Sequence, residues 1–416
     1  MRLLVFNAGS SSLKFELLEL PADAAPRRLA TGAFVDAADG TGRFVWRGAE
    51  HAPAKQPSVS TLAQAAEFAL QWLSDASVHG RDLVAGIAAT VHRIVHGGER
   101  FRATTQLGEP ELAALEELSP LAPLHNLPAL SVIAGVRRKL GAGVPIIAVF
   151  DTAYYADLPE SAIQYAVPLR WRSEFGIRRY GFHGLAHRYL CQTVRRRIAA
   201  SGTPTPTASR IISLQLGRGC SVTASIDDRP IATSMGFTPL EGLVMGTRSG
   251  DVDPGAVLYV MERGGISAAD VRRALNEESG LLGLSGKTAD MRELLALEGS
   301  GDASAALAIE VFCRRARQFL GGYIAELGGV DAIVFGGGIG ENAPEIRHRI
   351  LGSAQWAGIE LQPESNAACI GVESNIAAPA SRSFVWVVPV DEASIMAADA
   401  AALLRGHDPV QDRPHD

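Results

Sequence analysis

One local pattern occurs twice in this chain, about two hundred residues apart, and it constrains the fold more than any other feature. Near the start, LLVF (3–6) reads as a short buried strand, NAGSSS (7–12) as a turn of small residues, and LKFELLEL (13–20) as a second strand. Farther on, RIISLQLG (210–217) reads as a strand, RGCS as a small-residue turn, and VTASIDDRPI (222–231) as strand, turn and strand with Asp227 and Asp228 at the bend. Two halves that open on the same unit predict a gene-duplicated, two-domain α/β architecture. Its sheets are mixed, because hairpins alternate with helical crossovers. The length agrees, since 416 residues exceed what one hydrophobic core normally supports.

The rest of the chain fits that frame. STLAQAAEFALQWLSDA (60–76), PELAALEEL (110–118) and LPALSVIAGVRRKLG (127–141) have helical apolar spacing. GIAATVHRIVHGG (86–98) is a strand running into a turn, and VPIIAVFD (144–151) is a strand with an acid at its end. In the second half, 302–327 is a long amphipathic helix, and 331–351 is a strand, a glycine turn and a helix. Residues 384–404 are a strand, a turn and a helix. ASGTPTPTAS (200–209) is a surface loop, and HDPVQDRPHD (407–416) a polar tail with nothing to bury, expected to be disordered.

Charge and cysteine usage exclude several functions. The net charge of −6 argues against nucleic acid as a partner, which would call for a basic excess. No apolar run is long enough for a membrane helix, so no membrane partner is expected. The four cysteines are far apart and show no metal-ligand spacing, which suits a reducing, cytoplasmic location.

Three turns rich in glycine and serine each follow a strand, and such turns let backbone N–H groups approach phosphate oxygens. No GxxxxGK[ST] loop occurs, and GGGIG (336–340) lacks the downstream acid of a dinucleotide site. Cations lie in or beside turns: His92, Arg93 and His96 before Gly97-Gly98, His125 in APLHNLP, His183 in YGFHG, and Arg248 in MGTRSGDVDPG. Asp151 and Glu392 are candidate Mg2+ anchors, with Asp251 and Asp253 as rivals for that role or simple turn-formers.

Seven segments then identify a family. LLVFNAGSSSLKF, HRIVHGGERF, APLHNLPAL, VFDTAYY, RRYGFHGLAHRY, SMGFTPLEGLVMGTRSGDVDPG and DAIVFGGGIGENAPEIR resemble, in order and over nearly the whole chain, the acetate kinase family. The resemblance implies a duplicated ribonuclease H-like (actin-like ATPase) fold. Its first domain would be 1–151 plus 389–406, and its second, nucleotide-binding domain 152–388. It also implies reversible phosphoryl transfer from ATP to acetate, giving acetyl phosphate and ADP, with Mg2+, or Mn2+ as an alternative, and a homodimer.

Residue by residue, Asn7 and Glu392 match the metal positions, and Ser10, Ser12 and Lys14 the first phosphate hairpin. Arg93 matches the arginine that holds the acetate carboxylate. Asp151, His183, Arg248 and His125 match the catalytic group, and Val95, Leu124, Phe182 and Pro239 the pocket around the acetate methyl. Gln215, Leu216, Gly217, Arg218 and Gly219 match the second phosphate loop. Asp290, Met291 and Arg292 match an adenosine contact, and Gly338, Ile339, Gly340, Glu341 and Asn342 the adenine-side loop. Four residues depart from the family pattern. Gln215, Arg218 and Cys220 stand where histidine, asparagine and serine are usual, and Asp391 where asparagine precedes the glutamate. These departures leave room for a propionate or other short-chain carboxylate kinase, an altered phosphoryl donor, or an ATP-binding regulatory pseudo-kinase.

Overall fold

The computed structural model describes residues 1–9, 12–21, 26–35, 43–47, 59–75, 80, 82–202 and 209–406. Ser10, most of the 200–209 loop and the 407–416 tail lie outside them. The chain divides into two compact units: unit 1 is Met1–Ala156 with the segment from Asp391 onward, and unit 2 is Asp157–Val390.

Unit 1 contains β1 (Arg2–Ala8), β2 (Ser12–Glu19), β3 (Arg27–Val35), β4 (Arg43–Arg47), α1 (Leu62–Ser74), β5 (Ile87–Ile94), β6 (Thr105–Gln106), α2 (Glu109–Leu118), α3 (Pro123–Leu140) and β7 (Ile146–Phe150). The sheet order is β4-β3-β2-β1-β5-β7-β6. β1, β5 and β7 run parallel, and the others pair antiparallel. Of the central parallel strands, β1 and β7 are mostly apolar, as strands covered on both faces are. Phe15, Phe44 and Trp72 cluster on one face with Ile133 and Val136 of α3.

Unit 2 contains α4 (Glu160–Ile163), α5 (Leu169–Phe175), α6 (Gly184–Ala200), β8 (Arg210–Leu216), β9 (Cys220–Ile226), β10 (Arg229–Thr233), α7 (Pro254–Gly264), α8 (Ala268–Glu277), α9 (Gly280–Ser285), α10 (Met291–Gly299), α11 (Ala303–Leu327), β11 (Ala332–Gly336), α12 (Gly337–Asn342), α13 (Pro344–Leu351), α14 (Pro363–Ala368), β12 (Ser374–Asn375) and β13 (Phe384–Val387). The last helix, α15 (Glu392–Leu404), belongs to unit 1 and packs on β1, β5 and β7.

The second sheet runs β10-β9-β8-β11-β13-β12. Its plan repeats the first: an antiparallel meander (β8-β9-β10), two strands joined to it in parallel (β11, β13) and an antiparallel edge (β12). This is the duplicated α/β plan with mixed sheets that the repeated hairpin predicts. Asp227 and Asp228 have φ of 49° and 67°, as a two-residue hairpin turn requires. No helix among the described residues is long and apolar enough to cross a membrane.

One expectation needs correction. His125 does not sit in a proline-flanked loop, because α3 starts four residues earlier than the apolar spacing suggests. Pro123 occupies the first helical position, where its missing N–H costs nothing, and His125 lies in the first turn.

Two glycines test how tightly helices are set. A β-carbon on Gly135 of α3 would lie 2.6 Å from the Ala63 carbonyl oxygen, whereas one on Gly321 of α11 would meet no atom within 4 Å. Gly135→Val should therefore cost about 1–3 kcal/mol of stability through overpacking. Gly321→Ala should gain about 0.5–1 kcal/mol through helix propensity. Urea denaturation of the two variants reads the opposite signs.

Candidate active site

In unit 1, four side chains meet at the C-terminal ends of the parallel strands, where open α/β sheets present ligand sites. Asn7 comes from β1, Arg93 from β5, Asp151 from the residue after β7, and Glu392 from the first position of α15. Arg93 donates through Nε and Nη2 to the two oxygens of Asp151, at 2.9 and 2.6 Å, and through Nη1 to Asn7 Oδ1 at 3.1 Å. Asn7 Nδ2 donates to Glu392 Oε2 at 2.7 Å, and that oxygen is 3.6 Å from Arg93 Nη1. The Asp151 side chain is 1% exposed and that of Arg93 16%. Burial opposes the charge on Arg93, but Asp151 and Glu392 more than offset it and hold the guanidinium above its ordinary range.

The turn after β5 is fastened around this cluster. Asn126 of α3 donates to the His96 carbonyl at 2.9 Å and accepts from its N–H at 3.2 Å, and Gly97 N–H donates to Thr152 Oγ1 at 3.0 Å. Val95 is buried, His125 half-buried and Leu124 47% exposed. Lys14 is exposed and pairs across the hairpin with Asn7, and the Ser12 carbonyl accepts from Gly9 N–H at 2.8 Å.

Unit 2 brings together His183, Arg248, Pro239 and the loop after β8. A β-carbon on Gly219 would lie 2.9 Å from Arg248 Nη2 and 3.3 Å from His183 Nε2, so both cations flank this loop. Arg248 Nη1 donates to the Pro239 carbonyl at 2.7 Å. His183 begins α6 in the left-handed conformation (φ 58°), a strained state for a side chain of this size. Phe182 beside it is buried. The loop 234–251 is anchored by Arg179, which donates to Glu241 at 2.6 Å and to the Met235 carbonyl at 3.0 Å.

The glycine segment after β11 is a single helical turn, α12. Gly337 has φ 76°, and a β-carbon there would meet the Leu216 carbonyl at 2.6 Å, so only glycine lets this turn lie against the β8 loop. A β-carbon on Gly217 would lie 3.7 Å from Gly338 N, so the two backbones face each other. Glu341 accepts from Gly337 N–H at 2.8 Å, and Asn342 donates to the Gly338 carbonyl at 3.0 Å. Asp290 caps α10, and its carboxylate accepts from exposed Arg292, while Met291 is buried. Asp251 accepts from Gly242 N–H and Asp253 caps α7, so both form turns.

The unusual residues find local explanations. Asp391 caps α15, accepting from Ser394 N–H at 3.1 Å, and pairs with Arg28 at 2.8 Å, so its added charge is matched within unit 1. Cys220 is fully buried, donates to the Gly217 carbonyl at 3.2 Å, and burial pushes its thiol up to about 12. Gln215, one residue before the end of β8, has its Oε1 buried with no hydrogen-bond partner among the described residues. Arg218 is exposed, and its charge adds to the burial that holds Arg248 below its ordinary value.

The residue pattern gives no sign of Arg347, which α13 buries completely. It donates to the carbonyls of Gly340, Asn366 and Cys369 at 2.7–2.8 Å and so pins α12. A signal for His187 was available: it lies one helical turn after His183 in α6, on the same face.

For a divalent cation, no group of three or more His, Cys, Asp or Glu side chains occurs among the described residues. Two carboxylates and one amide oxygen at Asp151, Glu392 and Asn7 suit Mg2+, which keeps waters and phosphate oxygens in its shell. Removing Arg93 alone would take away the cation that faces the buried Asp151 carboxylate. Arg93→Met is predicted to cost about 3–5 kcal/mol of stability, and Arg93→Met with Asp151→Asn to recover more than half of it, read by urea denaturation.

The chain is similar to proteins of known name over almost its whole length. Acetate kinase of Solibacter usitatus is 41% identical over 417 residues, covering 98% of this chain and 99% of that one. The crystal structure of Porphyromonas gingivalis acetate kinase superimposes with a TM-score of 0.84 at 35% identity, covering 97% and 99%. A propionate kinase from Francisella tularensis subsp. tularensis superimposes with a TM-score of 0.86 at 34% identity, covering 96% and 98%. The model of the acetokinase family matches residues 2–398, and the chain belongs to that family.

Proposed function

We propose that this chain is an acetate kinase: it catalyses the reversible, Mg2+-dependent transfer of a phosphoryl group between ATP and acetate, with acetyl phosphate and ADP as products. The observation that carries this reading is the largely buried Arg93 set among carboxylates. Three of its five N–H groups are committed to Asp151 and Asn7, which leaves one on each terminal nitrogen for a second carboxylate.

Acetate is ionised at neutral pH, so no base is needed to activate it. A carboxylate oxygen forms the new bond to the γ-phosphorus as the bond to the bridging oxygen of ADP breaks, and ADP leaves with the electron pair. The chain's task is to hold two anions in line and offset their charge. Arg93 holds the acetate, with Val95, Leu124, Phe182 and Pro239 assigned to its methyl group. Arg248 and His183 donate to the transferring group, with His125 in support. Ser10, Ser12, Lys14 and the 215–219 loop receive phosphates, and Asp290–Arg292 and α12 receive adenosine. Asn7, Glu392 and Asp151 would hold Mg2+, which when bound neutralises charge on the phosphoryl oxygens.

We also assign a homodimer. α7 buries none of its residues, while Leu258, Tyr259 and Val260 on it are 58%, 62% and 46% exposed, and Leu169 and Phe175 of α5 are 76% and 63% exposed. Such apolar surface is what a second copy would cover. The four buried thiols support a cytoplasmic location. Acetate is the first choice of acceptor and propionate the second. The similarity to the Francisella propionate kinase supports the latter, and one extra CH2 changes binding by only about 1 kcal/mol.

Hydroxamate trapping of acetyl phosphate from Mg-ATP, with acetate and propionate in parallel, tests the reading. Turnover with acetate is expected, and ATP binding without turnover on either acid would overturn it. Arg248→Ala should lose about a hundredfold or more in kcat. Arg218→Asn, which removes an exposed cation from the phosphate loop, should mainly raise the KM for ATP, by about three- to tenfold.

A further inference from the structure

A run of hydrogen bonds through the interior of unit 2 ends on His183, and its direction decides what that histidine presents. His183 Nδ1 lies 2.8 Å from Ser221 Oγ, and the same oxygen lies 2.7 Å from His187 Nε2. On its other side, His187 Nδ1 lies 2.7 Å from Ser213 Oγ. Cys191 Sγ donates to Ser213 Oγ at 3.8 Å. Ser213, Ser221 and His187 are buried between α6 and the strands β8 and β9.

Each hydroxyl has one proton, and each neutral imidazole has one donor and one acceptor nitrogen. Ser213 Oγ has two acceptors within reach, His187 Nδ1 at 2.7 Å and the Thr223 carbonyl at 3.4 Å, and we assign its proton to the shorter contact. His187 then carries its own proton on Nε2 and donates to Ser221. Ser221 in turn donates to His183 Nδ1, and the proton of His183 is left on Nε2. That edge lies against Gly219, beside Arg248.

We propose that Ser221 is a positioning residue for the phosphoryl transfer assigned above, holding His183 in the tautomer whose uncharged ring donates through Nε2–H toward the phosphate loop. The surroundings favour such a donor. The charged group facing this edge is Arg248 from the 234–251 loop, with Arg218 beyond it. β9 presents Ser221 and Cys220, a thiol that burial keeps protonated, and α6 presents His187. An imidazolium would add a third positive charge beside two guanidinium groups, whereas a neutral N–H donor stabilises the developing charge without that repulsion. Fixing a histidine tautomer through the bond to its other nitrogen is a general device of functional sites. The proposal depends on the reading of the reaction for its kinetic arm and not for its spectroscopic one.

Two readouts test it. The first is two-bond nitrogen–proton NMR of the full chain labelled at histidine, with the His183 signal identified by its loss in His183→Gln. The Nε2–H tautomer is expected, whether or not the protein turns over. The second is kcat against pH for the wild type, Ser221→Ala and Ser221→Thr. The wild type should show no loss of kcat from histidine deprotonation as pH rises. Ser221→Ala frees the ring to take either tautomer. Its kcat should fall several-fold at pH 8 and rise again on acidification, where the imidazolium donates from both nitrogens. Both KM values should stay within about twofold, and threonine, which keeps the hydroxyl, should restore the flat profile. An Nδ1–H signal in the wild type overturns the proposal. So does a Ser221→Ala kcat that is unchanged, or reduced equally at every pH. The Nε2–H signal in a protein that forms no acetyl phosphate would support the tautomer and count against the reaction.

Discussion

The Arg93 guanidinium is the constraint on which unit 1 depends. A largely buried charge costs several kcal/mol unless it is paired and hydrogen-bonded, and here the partners come from β1, the residue after β7 and a distant helix. Asp151 takes two of its N–H groups, Asn7 takes a third, and Glu392 closes the ring through Asn7. The Asn7–Glu392 contact joins residues 385 positions apart in sequence, so the chain must return to its first unit after completing the second. Asp391 and Arg28 reinforce that return. Folding and the proposed reaction thus draw on one cluster, and the same groups that satisfy the arginine carry oxygens suited to a divalent cation.

Unit 2 solves the opposite problem. Among the described residues, Arg248 forms no ion pair; its partner is a carbonyl, and the nearby Arg218 works against its charge. His183 meets the Ser221 hydroxyl, which a second imidazole, that of His187, also reaches. Such positive charge beside a glycine loop suits an anion, and in the proposed reaction a terminal phosphate supplies one. Rigidity comes from elsewhere: Arg347 pins α12 through backbone carbonyls, and Gly337 lets that turn lie against the β8 loop.

Much of this was legible in the residues because the signals are local. The two hairpins, the Asp227-Asp228 turn and the helix over Ala303–Leu327 follow from periodicity and turn chemistry. The family motifs named the residues that meet around Arg93 and Gly219. What escaped depends on tertiary context. The start of α3 is masked by two prolines that usually signal a loop, although one sits where a helix tolerates it. Asp391 reads as excess negative charge until Arg28, from a strand at the other end of the chain, is placed beside it. Ser221 is one small residue in a strand, and only the packing of α6 on β8 and β9 shows that it links two histidines.

The central claim is that a carboxylate oxygen attacks phosphorus directly while this chain supplies position and charge. Phosphorus NMR of acetyl phosphate made from ATP and oxygen-18-labelled acetate tests it most directly. The account predicts label in the bridging oxygen of acetyl phosphate and none in ADP. An unlabelled bridge, or no acetyl phosphate at all, would contradict it.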